Sequence, residues 1–287
     1  MTWRAYGDWG TTRLRLYRIE GGRSVRVVEG PGIAAAVHPA EALRSAIRDL
    51  GQDTPEVIRL CGMAGARNGL LETAYASCPT DAATWAESSV SSSFDGIPLR
   101  IGTGITDGND VMRGEECQVF GALQLGGTFG DIVLPGTHSK WVRIQDDRIT
   151  GLQTFMTGEL FALLAGQSTL KPVPSGDEAD EEAGFEDGLW KGLDSGLAAN
   201  LFAARAAQVL RGLPGRWARG YLSGLLIGSE IFARAICAPL PSHVTLIGEA
   251  HLCERYRSAL ERAGVAAHMH DAQACVLKGL ELLDAHG

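Results

Sequence analysis

The chain carries one short device twice. Asp8-Trp9-Gly10-Thr11-Thr12 lies between two strand-like runs, Trp3 to Tyr6 and Leu14 to Ile19. Pro135-Gly136-Thr137-His138-Ser139 lies in the same way between Asp131 to Leu134 and Lys140 to Ile144. Each is therefore a hairpin turn. Glycine there permits unusual backbone angles and close approach, while threonine hydroxyls and exposed backbone N–H groups supply donors for phosphate oxygens. One such turn alone is more often an ordinary hairpin, but here the surroundings repeat as well. A tight turn and a third strand follow in both places, at Glu20-Gly21-Gly22-Arg23 with Ser24 to Val28, and at Gln145-Asp146-Asp147-Arg148 with Ile149 to Met156. A helical pattern comes next in each half, Ala40 to Leu50 and Gly158 to Leu170. The constraint is severe: the chain is two similar α/β halves, and two such turns facing each other can grip a nucleotide triphosphate.

This repeated strand, D-x-G-T-T turn, antiparallel pair and later helix resembles the actin, hexokinase and Hsp70 superfamily of ATP-binding proteins. Within it the chain is similar to the 2-keto-3-deoxygalactonate kinase family. The segments that carry the likeness are Asp8 to Thr12, Gly62-Met63-Ala64-Gly65-Ala66-Arg67, Asp110-Val111-Met112-Arg113-Gly114-Glu115-Glu116, Leu134 to Trp141 and Met156-Thr157-Gly158-Glu159-Leu160-Phe161. They run in family order from the start to about Leu170. The fold implied is two ribonuclease H-like domains of actin/hexokinase type, related by duplication, with a nucleotide cleft between them. The expected division is 1–125 for a domain holding the sugar-acid site and 126–287 for one holding the adenosine site. A glycine-rich connector is expected at Gly126-Gly127-Thr128-Phe129-Gly130, and a final helix over about 272–284 is expected to pack back on the first domain.

Composition is that of a globular enzyme. With 287 residues, 45% hydrophobic and 21% charged, the chain can bury a sizeable core in two domains. A net charge of -8 argues against general nucleic-acid binding. No apolar run is expected to span a bilayer, and the start, Met1-Thr2-Trp3-Arg4-Ala5-Tyr6, reads as a strand, not a signal peptide. A cytoplasmic location is the expectation. Six scattered cysteines without a C-x-x-C pair read as reduced, mostly buried thiols. Lys171-Pro172-Val173-Pro174-Ser175-Gly176-Asp177-Glu178-Ala179-Asp180-Glu181-Glu182 is polar and broken by proline and glycine, and reads as a solvated loop suited to a lid.

The candidate base is Asp110, in the turn-prone Asp107-Gly108-Asn109-Asp110 between the two glycine turns. Hexokinase-like enzymes carry a similar Asn-Asp before a helix, where the Asp accepts the proton of the attacking sugar hydroxyl. Asn109 or Asp110 equally suits the cap of a following helix, and Asp107 is a competing carboxylate. Asp8, at a strand end beside a glycine turn, is placed to hold Mg2+ through water, or simply to bond its own turn. Gly10, Thr11, Thr12, Gly136 and Thr137 are the expected phosphate contacts, with His138 and Lys140 nearby. Thr245-Leu246-Ile247-Gly248-Glu249-Ala250 reads as a buried strand, a close-approach glycine and a helix start, so Gly248 and Glu249 are expected beside adenosine. Superfamily kinases often have a second glycine where Glu249 stands.

A 2-keto-3-deoxy sugar acid needs a partner for its carboxylate, for which Arg67 comes first and Arg113 second. Asn109 and Glu159 complete the expected substrate contacts, although Glu159 also suits the first turn of a helix. The activity implied by the resemblance is ATP-dependent phosphorylation of 2-keto-3-deoxygalactonate to its 6-phosphate in galactonate catabolism, by a Mg2+-requiring homodimer. The alternatives are a kinase for a related sugar or sugar acid, a phosphatase with water as acceptor, and an ATP-binding regulator. No G-x-x-x-x-G-K-[ST] loop competes for the nucleotide.

Overall fold

The computed structural model describes residues 2–127 and 130–285. Along the first part of the chain run β1 (Arg4–Trp9), β2 (Arg13–Glu20), β3 (Arg23–Pro31), α1 (Pro39–Leu50), β4 (Ile58–Gly62), β5 (Tyr75–Ser77), α2 (Ala82–Ser88) and β6 (Val90–Phe94). There follow β7 (Ile97–Ile101), β8 (Gly104–Thr106), β9 (Val111–Met112), α3 (Glu115–Leu125), β10 (Asp131–Leu134), β11 (Ser139–Gln145), β12 (Arg148–Phe155) and α4 (Thr157–Gln167). The rest is α5 (Glu178–Ser195), α6 (Ala203–Arg211), α7 (Gly215–Cys237), β13 (His243–Gly248), α8 (Ala250–Arg262), β14 (Ala266–Asp271) and α9 (Ala272–Ala285). Two compact units form, one from Met1–Thr128, Val142–Leu152 and His270–Gly287, the other from Phe129–Trp141 and Gln153–Met269.

The sequence-based division is a single cut near residue 125, whereas the units draw on non-adjacent segments. Backbone pairing is the reason for one of them. Ile149 and Thr80 exchange both N–H···O bonds, at 2.9 and 3.0 Å, so the 142–152 segment counts with the first unit. The expected connector includes Thr128 and Phe129, which lie outside the described residues.

The first unit is built on a six-stranded sheet of order β3-β2-β1-β4-β7-β6. β1 is central: antiparallel to β2, parallel to β4, and buried at Ala5, Tyr6 and Trp9. Gly7 lets its neighbours close in, since a Cβ there would lie 2.5 Å from Leu60 and 2.8 Å from Leu16. α1 sets Leu43, Ala46 and Leu50 on one buried face, with Pro39 opening the helix and Arg48 in its last turn. α9 lies against α3, where Gly121 faces the Cys275 carbonyl and Gly279 that of Cys117. Asp284 anchors its far end, accepting from Arg4 at 2.8 Å and Arg59 at 2.7 Å.

A five-stranded sheet of order β12-β11-β10-β13-β14 repeats the plan, with β10 pairing in parallel with β13 as β1 does with β4. Its β11–β12 turn places Asp146 and Asp147 at φ of 50° and 56°, where the β2–β3 turn has Gly21 and Gly22 at 54° and 76°. Both are two-residue turns of the kind that matches the strand twist, and aspartate tolerates this left-handed region better than most residues.

Two corrections arise here. The acidic stretch 171–182 is not all loop, because α5 begins at Glu178. Asp177 accepts the Asp180 N–H at 3.1 Å while Asp180 accepts that of Asp177 at 3.0 Å, a capping box, and acids in the first turn favour the helix dipole. α7 moreover has the length and apolar composition to cross a bilayer, contrary to expectation, yet its apolar stretch is 67% buried inside the fold. It packs on α5 through glycines spaced four apart on both helices. Gly184, Gly188 and Gly192 meet the backbone of Trp217, Tyr221 and Leu225, and Gly220, Gly224 and Gly228 meet Glu181, Phe185 and Leu189.

Candidate active site

In the first unit β1 runs on to Trp9, so the turn proper is Gly10, Thr11 and Thr12, with both threonines exposed. The Gly10 N–H donates to the Arg13 carbonyl at 2.8 Å, and the Ile33 and Ala34 N–H groups donate to the Gly10 and Thr11 carbonyls at 3.1 Å. Gly32 seats against this turn, where a Cβ would lie 2.2 Å from the Thr12 backbone. Asp8, half-buried, is flanked by its cross-strand partners Arg15 and Cys61. Burial pushes its carboxyl up, while Arg15 and a Cys61 thiol donating at 3.8 Å pull it back. No group of three or more His, Cys, Asp or Glu side chains fit to hold a metal ion occurs among the described residues. One carboxylate beside a glycine turn is compatible with magnesium, which keeps most of its ligands as water and substrate oxygen.

Asp110 closes the β8–β9 hairpin and does not immediately precede a helix, because β9 intervenes. α3 starts instead behind Gly114, with no side-chain cap, so neither Asn109 nor Asp110 caps it. Asp107 holds this loop: its Oδ1 accepts the N–H groups of Asn109 and Asp110 at 3.0 Å, and its Oδ2 that of Leu152 at 3.3 Å. Burial acts to raise the Asp107 carboxyl, but these three donors outweigh it and hold it below the usual carboxylate range. Asp110 is half-buried, its Oδ1 accepting the Val111 N–H at 2.7 Å, and Asn109 is exposed.

Arg113 is taken up inside the unit. It donates through Nη1 to Thr73 Oγ1 and through Nη2 to the Thr73 carbonyl at 2.9 Å, and it stacks 4.2 Å above the Tyr75 ring. Arg67 is exposed and makes no hydrogen bond or ion pair with the described residues. The Asp110 to Glu116 segment also holds a carboxylate to which the sequence reading gave no role. Glu116, fully buried, accepts the Gly114 N–H on both oxygens at 2.8 Å, and burial followed by the charge of Glu115 pushes it up to about 8. Beyond its place in that segment, its sequence signal is a Glu-Glu pair at a helix start, which reads as ordinary dipole compensation.

In the second unit a cavity of about 430 Å³ is lined from five places: the β10–β11 turn, α4, the β13–α8 turn with α8, α7 through Ser223 and Leu226, and α5 through Glu181. One wall is the glycine turn, Pro135, Gly136 and Thr137; another is the start of α4, Thr157 and Gly158; a third is the β13–α8 turn and α8, with Glu249, Leu252 and Tyr256. The turn and α4 are locked together. The Glu159 N–H donates to the Thr137 carbonyl at 2.9 Å, and a Cβ on Gly158 would lie 2.4 Å from the Gly136 carbonyl oxygen. Gly248 likewise lies close to Pro135, a Cβ there reaching to 3.2 Å from its carbonyl oxygen. The Glu159 carboxylate sits 2.6 Å from His138 Nε2, and buried Lys140 donates to Thr154 at 2.8 Å. A glycine turn and a helix N-terminus can take an anion, and a mostly apolar cavity beside them can take a flat apolar ring. Glu181, Arg219 and Arg255 on its rim were not legible in the sequence, where they belong to segments far apart.

Two sheets of this order, each led by a glycine turn, define an ATPase fold of the actin and hexokinase type. A xylulose kinase from Lactobacillus acidophilus shares it, at TM-score 0.55 over 100% of this chain and 89% of that one, with 11% identity. The family model described as 2-keto-3-deoxy-galactonokinase matches residues 8–283. A probable 2-dehydro-3-deoxygalactonokinase of Rhizobium meliloti (strain 1021) is 37% identical over 95% of this chain and 94% of its own length. The 2-dehydro-3-deoxygalactonokinase of Escherichia coli (strain K12) is 32% identical over 90% and 89%. The crystal structure of a putative enzyme of that name from Sinorhizobium meliloti superposes at TM-score 0.87 with 36% identity, over 98% of this chain and 97% of that one. The chain belongs to the 2-keto-3-deoxy-galactonokinase family, and is a carbohydrate kinase.

Proposed function

We propose that the protein transfers the γ-phosphoryl group of ATP to the terminal hydroxyl of 2-keto-3-deoxygalactonate, giving the 6-phosphate in galactonate catabolism. The observation that carries this reading is the second-unit cavity, which joins a glycine turn, a helix N-terminus and a βα turn around one space. Gly136 and Thr137 donate to phosphate oxygens there, and Gly248 and Glu249 adjoin the adenosine. Gly10, Thr11 and Thr12 supply the matching donors of the first unit. Asp8 would hold Mg2+ through water, and the ion would supply charge neutralisation for the phosphates. Asp110 takes the proton of the sugar hydroxyl, with Asn109 beside it. Glu159 stays assigned to sugar hydroxyls, through the end of its carboxylate that faces away from His138. The setting is cytoplasmic and the assembly a homodimer.

Arg67 is the partner of the substrate carboxylate, since Arg113 already spends its donors on Thr73 and Tyr75. Arg67→Ala should raise the acceptor KM roughly tenfold to hundredfold, the equivalent of a charge-assisted contact of about 1.5–3 kcal/mol, and leave the ATP KM unchanged. A coupled assay across 2-keto-3-deoxy acids, aldonic acids and neutral hexoses tests the substrate class. Neutral hexoses turned over as well as the keto acid would refute it.

Thr11→Val and Thr137→Val should each weaken ADP binding or slow phosphoryl transfer in a folded protein. Parent-like kinetics in both would reduce the two turns to ordinary hairpins.

A further inference from the structure

The carboxylate of Glu230, on α7, is 3% exposed and receives hydrogen bonds from four side chains on three other elements. Oε1 accepts Ser139 Oγ at 2.8 Å and Trp141 Nε1 at 2.8 Å, both from β11. Oε2 accepts the Tyr256 hydroxyl of α8 at 2.6 Å and the Thr157 hydroxyl at the start of α4. Burial pushes the Glu230 carboxyl up, and the donors pull it back. Burying a carboxylate in a helix-on-sheet core is costly, and an apolar residue would fill the same space at less expense.

What distinguishes this one is where its partners sit. Ser139 follows the glycine turn directly, and Thr157 and Tyr256 line the cavity itself. One carboxylate, itself on the lining helix α7, thus ties three further walls to that helix: the turn through Ser139, the α4 N-terminus through Thr157, and α8 through Tyr256. We infer that Glu230 is a positioning residue for the nucleotide site, its carboxylate setting the spacing of glycine turn, α4 N-terminus and α8. The inference rests on the reading of this cavity as the nucleotide site. Preorganised donors are worth most when their spacing is held before the ligand arrives.

Glu230→Gln keeps the shape and one acceptor oxygen, but sets an NH2 against two of the four donors. The Thr157 and Tyr256 hydroxyls can turn to accept from it, whereas the Trp141 N–H cannot, so the amide oxygen stays toward Ser139 and Trp141. The full-length variant, assayed well below its Tm, should bind ADP at least tenfold more weakly by calorimetry, with the ATP KM raised in parallel and the acceptor KM within twofold of the parent. A merely structural role would lower Tm and leave that split unmoved; parent-like ADP affinity, or equal rises in both KM values, overturns the inference. Tyr256→Phe removes one donor and no charge, and serves if Glu230→Gln fails to fold. It should weaken ADP severalfold, and parent-like affinity there is equally fatal. Thr137→Val separates the two levels: if it too keeps both parent-like ADP affinity and parent-like phosphoryl transfer, the cavity is not the nucleotide site, whereas an effect in Thr137→Val with none in Glu230→Gln or Tyr256→Phe refutes only the positioning role.

Discussion

Asp110→Asn should lower kcat by about 10²–10⁴ and leave the ATP KM close to the parent value, the usual cost of losing a general base. The neighbouring carboxylate makes the test sharp. Asp107 has its Oδ1 filled by two backbone N–H groups and its Oδ2 by the Leu152 N–H, so it holds the loop and is poorly placed to take a proton. Its depressed carboxyl contributes stability that is present above the unfolded value and is lost as pH falls through the folded one. Asp107→Asn should therefore cost stability, chiefly near neutral pH, with a smaller fall in kcat than Asp110→Asn. Thermal melts at pH 7 and pH 3 and steady-state kinetics separate the two. An inactive Asp107→Asn beside a near-parental Asp110→Asn would move the base by three residues.

Gly224→Val should have the largest effect on stability. A Cβ at that position lies 2.0 Å from the Phe185 carbonyl oxygen across the α5–α7 contact, where the obstacle is backbone and cannot rotate away. Overpacking of this kind costs about 3 kcal/mol or more, which for a unit of this size lowers Tm by roughly 10 °C. Gly166→Ala is the opposite case. It sits in α4 with nothing within 4 Å, so the better helix former should raise stability by up to about 1 kcal/mol. Calorimetric scans of both variants check the pair, and a parent-like melt for Gly224→Val would mean the helices can separate freely.

The duplicated hairpins were legible from residue order because their chemistry is local. Gly21-Gly22 and Asp146-Asp147 shape two-residue turns, and Leu43, Ala46 and Leu50 recur at helical spacing; each depends on neighbours a few positions away. The glycines spaced four apart on α5 and on α7 gain their role only when the two helices meet. What only tertiary structure decided lies between distant positions. Asp107 is held in its loop partly by an N–H from Leu152, 45 residues on. The start of α5 within an acidic stretch gains from Glu181 facing Arg216, Arg219 and Arg255 at 3.7 to 3.9 Å. Arg113 reads as a free cation until Thr73 and Tyr75 are brought beneath it. Glu230, in an apolar helix, has no local reason to exist. Its four donors come from positions 26 to 91 residues away, and a buried charge acquires its meaning only from the groups the fold sets around it.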